Sequence, residues 1–147
     1  MQIYAENKKA GYDYEILEKF EAGLVLIGQE VKSIKGGHMQ LASSYVVFTE
    51  GEPHLIGSKV PPYQPKNASK DYNPERSRKV LLNKKEIDYL VDKTNTKGFS
   101  LIPLKVYNNN GRIKLEFALA RGKKEYNKKE KIKKRDTERE MRRTLGA

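Results

Sequence analysis

Asn110-Gly111 does most to narrow the folds open to this chain. Asn-Gly fills the two central positions of a tight hairpin turn, because both residues tolerate a positive φ. The pair lies between the runs Phe99–Tyr107 and Arg112–Ala120. In the second run Ile113, Leu115, Phe117 and Leu119 alternate with Lys114, Glu116 and Ala118. A two-residue period sends alternate side chains to opposite faces, so one face is buried. The segment reads as an antiparallel hairpin packed on a core.

Segments upstream repeat the pattern at short spacing. Tyr12, Tyr14 and Ile16 alternate with Asp13, Glu15 and Leu17, leading into Lys19-Phe20. Leu41 and Tyr45–Phe48 suggest another strand region. Glu50-Gly51-Glu52-Pro53 is turn chemistry, and His54–Gly57 returns as its partner. Val80-Leu81-Leu82 is apolar. Asn83 caps a helix predicted over 84–93, with Glu86 in capping-box spacing and Ile87, Leu90 and Val91 on its apolar face. Residues 1–11 read as polar, with a small basic arm at Asn7-Lys8-Lys9. Residues 61–78 read as a long irregular connection. About six strands around one such helix favour a small closed or nearly closed barrel, with a split α+β sandwich as the alternative.

The densest apolar run, Leu24–Ile27, sits between Gly23 and Gly28. Gly28 is expected to end a strand and open a short helix over 29–35. Val31 and Ile34 would form its apolar side. Glu30, Lys32 and Lys35 fall off that side, giving a charged rim with one acid among bases. A plain core segment with a solvated edge is the simpler reading of the same pattern.

Charge narrows the function. The 147 residues carry a net charge of +11, which points to a polyanionic partner, nucleic acid first and an acidic membrane second. Residues 122–147 hold 11 of the 30 basic and 5 of the 19 acidic residues, more than half of the excess. The division expected is a body over 1–121 and a basic tail over 122–147. Tyr126, Ile132, Met141 and Leu145 are too few to make a core-facing stripe. Glu130–Lys134 and Glu138–Arg142 still suit a helix. The tail is expected to be mostly disordered when free and helical on a polyanion.

Catalysis is not expected. The chain has no cysteine, so thiol nucleophiles, disulfides and Cys-based zinc sites are excluded. His38 and His54 read as solvated, Ser43-Ser44 has no adjacent base, and no metal-ligand or phosphate-loop spacing occurs. No cofactor is implied. No run reaches the ~18 apolar residues of a membrane span, and no apolar signal segment opens the chain, so a cytoplasmic protein without a membrane partner is expected. RNA binding fits better, because looped RNA is held by basic grooves and aromatic faces. Tyr63, Tyr72 and Tyr126 lie in irregular or basic stretches, where they could stack or simply anchor loops. Arg76, Arg78 and Lys79, with Lys123 and Lys124, could form one patch.

The run Phe20-Glu21-Ala22-Gly23-Leu24-Val25-Leu26, followed by Gly28-Gln29-Glu30-Val31-Lys32-Ser33-Ile34, closely resembles the signature of the small protein B family. These are bacterial SsrA-binding proteins, partners of transfer-messenger RNA. Ser44-Tyr45, Gly51-Glu52, Pro62-Tyr63, Asn73-Pro74, Arg76–Leu82, Glu86-Ile87 and Gly122-Lys123-Lys124 continue the match over essentially the whole chain. The resemblance implies a six-stranded antiparallel barrel of oligonucleotide-binding (OB) type with flanking helices and a basic C-terminal tail. It implies binding to the tRNA-like domain of transfer-messenger RNA and delivery of that RNA, with elongation factor Tu and GTP, to stalled 70S ribosomes. There the family stands in for the missing anticodon arm, and its tail folds as a helix in the empty mRNA channel beside the decoding centre.

By the same resemblance, the RNA-contacting acid falls on Glu30, beside Lys32, and further contacts fall on Leu81 and Asn83. The tail determinants fall on Lys123, Lys124, Lys128, Lys129, Lys131, Lys133, Lys134, Arg135 and Arg139, with Tyr126 in the aromatic or histidine position. One departure stands out: Asn127-Lys128-Lys129 replaces the common Asp-Lys-Arg. A negative charge is lost, and a guanidinium fork becomes a point charge.

Overall fold

The structure is a computed structural model that describes residues 2–63 and 71–123. It contains seven strands and three helices among those residues: β1 (Ile3–Glu6), α1 (Ala10–Asp13), β2 (Tyr14–Leu24), α2 (Gly28–Lys35), β3 (Tyr45–Thr49), β4 (Glu52–Ile56), β5 (Arg78–Leu81), α3 (Lys84–Thr94), β6 (Phe99–Asn109) and β7 (Arg112–Gly122). The tail beyond Lys123 lies outside the described residues.

Six strands close on themselves. The order β6-β3-β4-β5-β2-β7 returns to β6 through the β6–β7 hairpin, and all pairs are antiparallel. The chain therefore has the mainly-β, OB-type ring with helices that the sequence implied. The tip of the β6–β7 hairpin has Asn110 at φ +52° and Gly111 at +79°, while Glu50 and Gly51 take the same pair of values at the β3–β4 turn. Both turns thus match the right-handed twist of their strands.

Residues 1–11, read as polar from sequence, contain a strand that the sequence did not announce. Ile3–Glu6 forms β1 along Lys105–Tyr107, outside the ring. β6 has room for it because β3 pairs with β6 only at Val46–Leu101. The junction lies near Pro103, which has no N–H to donate, and a register irregularity with β7 falls between Pro103 and Lys105.

A bulge governs β2. The register against β7 slips between Ile16 and Glu18. Without it Ile16 and Phe20 would share a face; with it they part. Phe20 packs on the main core, while Ile16 joins Ala10, Ile102 and Ala120 beneath α1. This is why β7 is buried on both faces: Leu115, Phe117 and Leu119 on one, Ala118 and Ala120 on the other. The main core also takes Ile34 from α2 and Leu90 from α3, both fully buried.

The connection after β4 is less irregular than its composition suggests. Gly57 has φ +79°, and a Cβ there would lie 2.7 Å from the Ser43 carbonyl oxygen. Gln40 and Lys59 bridge, Ser58 and Val60 are fully buried, and the Val60 N–H donates to the Pro74 carbonyl at 2.9 Å. Among the described residues no helix is long and apolar enough to cross a membrane.

Candidate nucleic-acid interface

α2 begins after Ile27, a residue with no side-chain oxygen to cap its first N–H groups. Glu30, at the third helical position, reaches back instead, and its Oε1 accepts the Ile27 N–H at 3.0 Å. That bend carries the carboxylate inward. Glu30, Ser33 and Ile34 are the buried residues of α2, spaced as one face of a helix. The expected charged rim is corrected here: Glu30 is not beside Lys32 in solvent but is 0% exposed.

A lone buried carboxylate costs several kcal/mol unless it is paired and hydrogen-bonded. Two arginines supply the pairing. Arg78 donates from Nε to Glu30 Oε2 at 2.8 Å and approaches the same oxygen from a terminal nitrogen at 2.6 Å. Its remaining donors go to the Ser58 carbonyl at 3.2 Å, the Ser58 hydroxyl at 3.3 Å and the Pro74 carbonyl at 3.0 Å. Arg76 spans both carboxylate oxygens, with Nε at 3.3 Å from Oε2 and a terminal nitrogen on Oε1. Tyr72 donates its hydroxyl to the Val60 carbonyl at 2.7 Å and lies 3.3 Å from Glu30 Oε2. One acid against two bases leaves the cluster with one excess positive charge. It surfaces at Arg76, whose side chain is 33% exposed.

Burial pushes the Glu30 carboxyl up, but hydrogen bonds from Arg76, the Ile27 N–H and Arg78 outweigh it and hold the group below its ordinary value of 4.5. The Tyr72 hydroxyl is raised, by burial first and then by the Glu30 charge. A depressed carboxyl contributes stability that is fully present above the unfolded value and lost as pH falls through the folded one. Protonation would also strand Arg78, which stays charged. Thermal melts run from neutral pH downward should therefore lose stability across the acid range. A Glu30→Gln variant should lack that component; an equal acid loss in the variant would assign it to other carboxylates.

Arg78 is the second correction. Expected on the RNA surface, it sits at an inward β5 position and is 0% exposed, so it holds the fold rather than a ligand. Lys79 and Leu81 point outward. Lys79 is exposed and 3.4 Å from Glu52. Leu81 is 52% exposed and lies over Gly23, where a Cβ would meet its Cδ1 at 3.3 Å. Asn83 caps α3, accepting the Glu86 N–H at 2.8 Å. Lys32 is exposed, with Nζ 5.6 Å from the centre of the Tyr63 ring.

The single patch joining Arg76–Lys79 to Lys123 does not form. Gly122 pairs with Tyr14 at one end of the β2–β7 ladder, and Lys114 pairs with Gly23 at the other. Along β7 the two ends are eight residue steps apart, about 26 Å at ~3.3 Å per step. Lys123 instead rests at α1, 3.3 Å from the Gly11 carbonyl and 5.9 Å from the Tyr12 ring. Lys124, Tyr126, Asn127, Lys128, Lys129, Lys131, Lys133, Lys134, Arg135 and Arg139 lie outside the described residues.

The sequence reading missed Val25 and Ile27, which are 46% and 41% exposed beside α2, and Ser58, which takes two Arg78 bonds. An apolar run bounded by glycines looks like core from sequence, which hides the outward half of its alternation. The His54 ring nitrogen lies 3.1 Å from the Glu52 carbonyl. Among the described residues no group of His, Asp and Glu could hold a metal ion.

The family described as "SmpB protein" matches residues 4–147. The chain is similar to an SsrA-binding protein of Sulfurihydrogenibium sp., 47% identical over 140 residues, covering 95% of this chain and 91% of the relative. It is also similar to an SsrA-binding protein of Thermosynechococcus vestitus, 43% identical over 145 residues, covering 99% of this chain and 95% of the relative. Among solved structures, a chain described under "tmRNA-SmpB: a journey to the center of the bacterial ribosome" is 44% identical. It has a TM-score of 0.67 and covers 82% of this chain and 84% of that one.

Proposed function

Because the chain belongs to the SmpB protein family, we propose that it binds transfer-messenger RNA and acts with it in trans-translation on stalled ribosomes. The observation that carries this reading is a 44% identical structural relative from a tmRNA–SmpB–ribosome study, superposing over most of the described body. The body takes the tRNA-like domain of the RNA on the face that displays Arg76, Lys32 with Tyr63, Lys79 and Leu81. Asn83 holds that face in place as a helix cap.

Glu30 serves the interface through Arg76. Its oxygens already have four partners, so it orients the exposed guanidinium rather than contacting RNA itself. The chain works by binding and not by turnover. It brings the RNA, with elongation factor Tu and GTP, to the 70S ribosome. It occupies the place of the missing anticodon arm, and the basic tail enters the empty mRNA channel at the small-subunit decoding centre. The tail's charge and its lack of a core-facing stripe support that role. The setting is the bacterial cytoplasm.

The test is competition binding to the tRNA-like domain, an ordinary tRNA and a single-stranded oligomer at two salt concentrations. Counterion release makes purely electrostatic binding collapse as salt rises. Preference for the tRNA-like domain that persists at higher salt is the expected result. Equal binding to all three, vanishing with salt, would reduce the protein to a nonspecific basic barrel.

A further inference from the structure

We infer that α1 aims the tail: Tyr12 and two α1 carbonyls hold Lys123 in one pose, so that the chain beyond it leaves the body in a fixed direction. This rests on the tail's proposed role in the mRNA channel and adds the positioning element for it.

The last four carbonyls of any helix have no partner within it, so a helix of four residues depends on outside donors. In α1 the Ala10 carbonyl accepts the N–H of Tyr14, the residue after the helix. The Gly11 and Asp13 carbonyls are both taken by Lys123. Its Nζ donates to Gly11 at 3.3 Å, and its backbone N–H donates to Asp13 at 3.1 Å. The ammonium also lies 5.9 Å from the centre of the Tyr12 ring, within reach of a cation–π contact. The residue from which the tail departs thus makes three contacts to a single helical turn near the start of the chain.

Both sides of that junction are anchored independently of the tail. Ala10 is buried and packs with Ile102 and Ala120. Just before it, Asn7 donates its backbone N–H to the Leu104 carbonyl at 2.8 Å and its side-chain amide to the Pro103 carbonyl at 3.0 Å. On the strand side, Gly122 is held along both edges: it pairs with Tyr14, and its N–H donates to the Gly98 carbonyl at 3.4 Å. One step earlier, Arg121 and Glu15 form an ion pair at 2.6 Å. Tyr12 is 74% exposed, so its ring adds little to the core and is placed to serve Lys123.

The exit lies at the end of the β2–β7 ladder opposite Gly23, which sits beneath Leu81 of the RNA-binding face. With that face held by RNA, a fixed exit confines the directions the tail can take. Preorganisation of this kind favours productive entry without any added contact at the destination. Tyr12 is accordingly a positioning residue that acts through Lys123.

The test uses the full-length chain bound to the tRNA-like domain. The chain has no cysteine, so Asp88→Cys on α3 and Glu125→Cys just past the junction accept nitroxide labels selectively. Pulsed electron resonance should show a narrow distance distribution between them, and adding Tyr12→Ala should broaden it. In the unlabelled Tyr12→Ala protein, peptide tagging in a reconstituted translation assay should fall about two- to fivefold, the scale of one exposed cation–π contact. Tyr12→Phe keeps the ring and should restore both readouts. Melting temperature and affinity for the tRNA-like domain should match the wild type in both variants; a drop in either would make Tyr12 a structural residue and overturn the positioning role. A distribution already broad in the wild type, or unchanged by Tyr12→Ala, would overturn it too, as would lost tagging without broadening or broadening without lost tagging. Failure of the tail's channel role shows separately, because tagging would then survive truncation after Lys123 whatever the distances show.

Discussion

Glu30→Ala should lower stability by about 3–5 kcal/mol, the usual cost of removing one member of a buried ion pair. The loss arises less from the departing carboxylate than from Arg78, which stays charged and 0% exposed with its partner gone. At this chain length that corresponds to a melting temperature lower by roughly 10–20 °C. The same substitution should weaken binding to the tRNA-like domain even though it makes the protein more basic, because Arg76 loses its fixed orientation. Glu30→Leu combined with Arg78→Met separates the two effects. A well-packed apolar pair can replace a buried ion pair without loss of stability, so the double variant should regain stability but not RNA affinity. A Glu30→Ala protein that melts like the wild type, or that binds every RNA more tightly with no loss on the cognate one, contradicts this account.

Ending the chain after Lys123 should abolish peptide tagging on stalled ribosomes while leaving affinity for the tRNA-like domain within a few-fold of the full chain. The described body closes without the tail. β7 is complete at Gly122, and the Lys123 N–H donates to the Asp13 carbonyl at 3.1 Å, which the truncation preserves. What is removed is the stretch holding ten of the 30 basic residues. A tail that enters a narrow polyanionic channel supplies its charge only there, so the deficit should appear in a reconstituted translation assay and not in RNA titration. Tagging that survives truncation would remove the channel-sensing role, and RNA binding that falls with it would move the tail into the body's interface.

The ring of strands was legible because its signals are local. Asn110-Gly111 and Glu50-Gly51 set two turns, and the alternation from Ile113 to Leu119 set a face. Asn83 and Glu86 capped α3 as their spacing required. Non-local features escaped. β1 exists because β3 leaves half of β6 unpaired, which no property of Ile3–Glu6 announces. The Leu17 bulge reverses a face without changing composition. Two charged side chains assigned to the surface from sequence, Glu30 and Arg78, are turned inward. Charged residues are assigned to solvent by default, and burial becomes tolerable only because Glu30 meets Arg76 and Arg78, 46 and 48 residues further along the chain. Arg78 did carry a signal: it lies two residues before Val80 in the same strand, an inward position.

The ladder between β2 and β7 joins residues near the start of the chain to residues near its end, Tyr14 with Gly122 and Gly23 with Lys114. During synthesis β2 is finished almost a hundred residues before its principal partner exists. At ~5–20 residues per second, that leaves it for roughly 5–20 s as an unfinished edge. The β3–β4 hairpin and α3 can form meanwhile from neighbouring residues, but the barrel cannot close until translation of the body is over. A chain released before Arg112 therefore lacks the strand on which the ring closes, so a halt late in the body leaves both β2 and β6 without their shared partner.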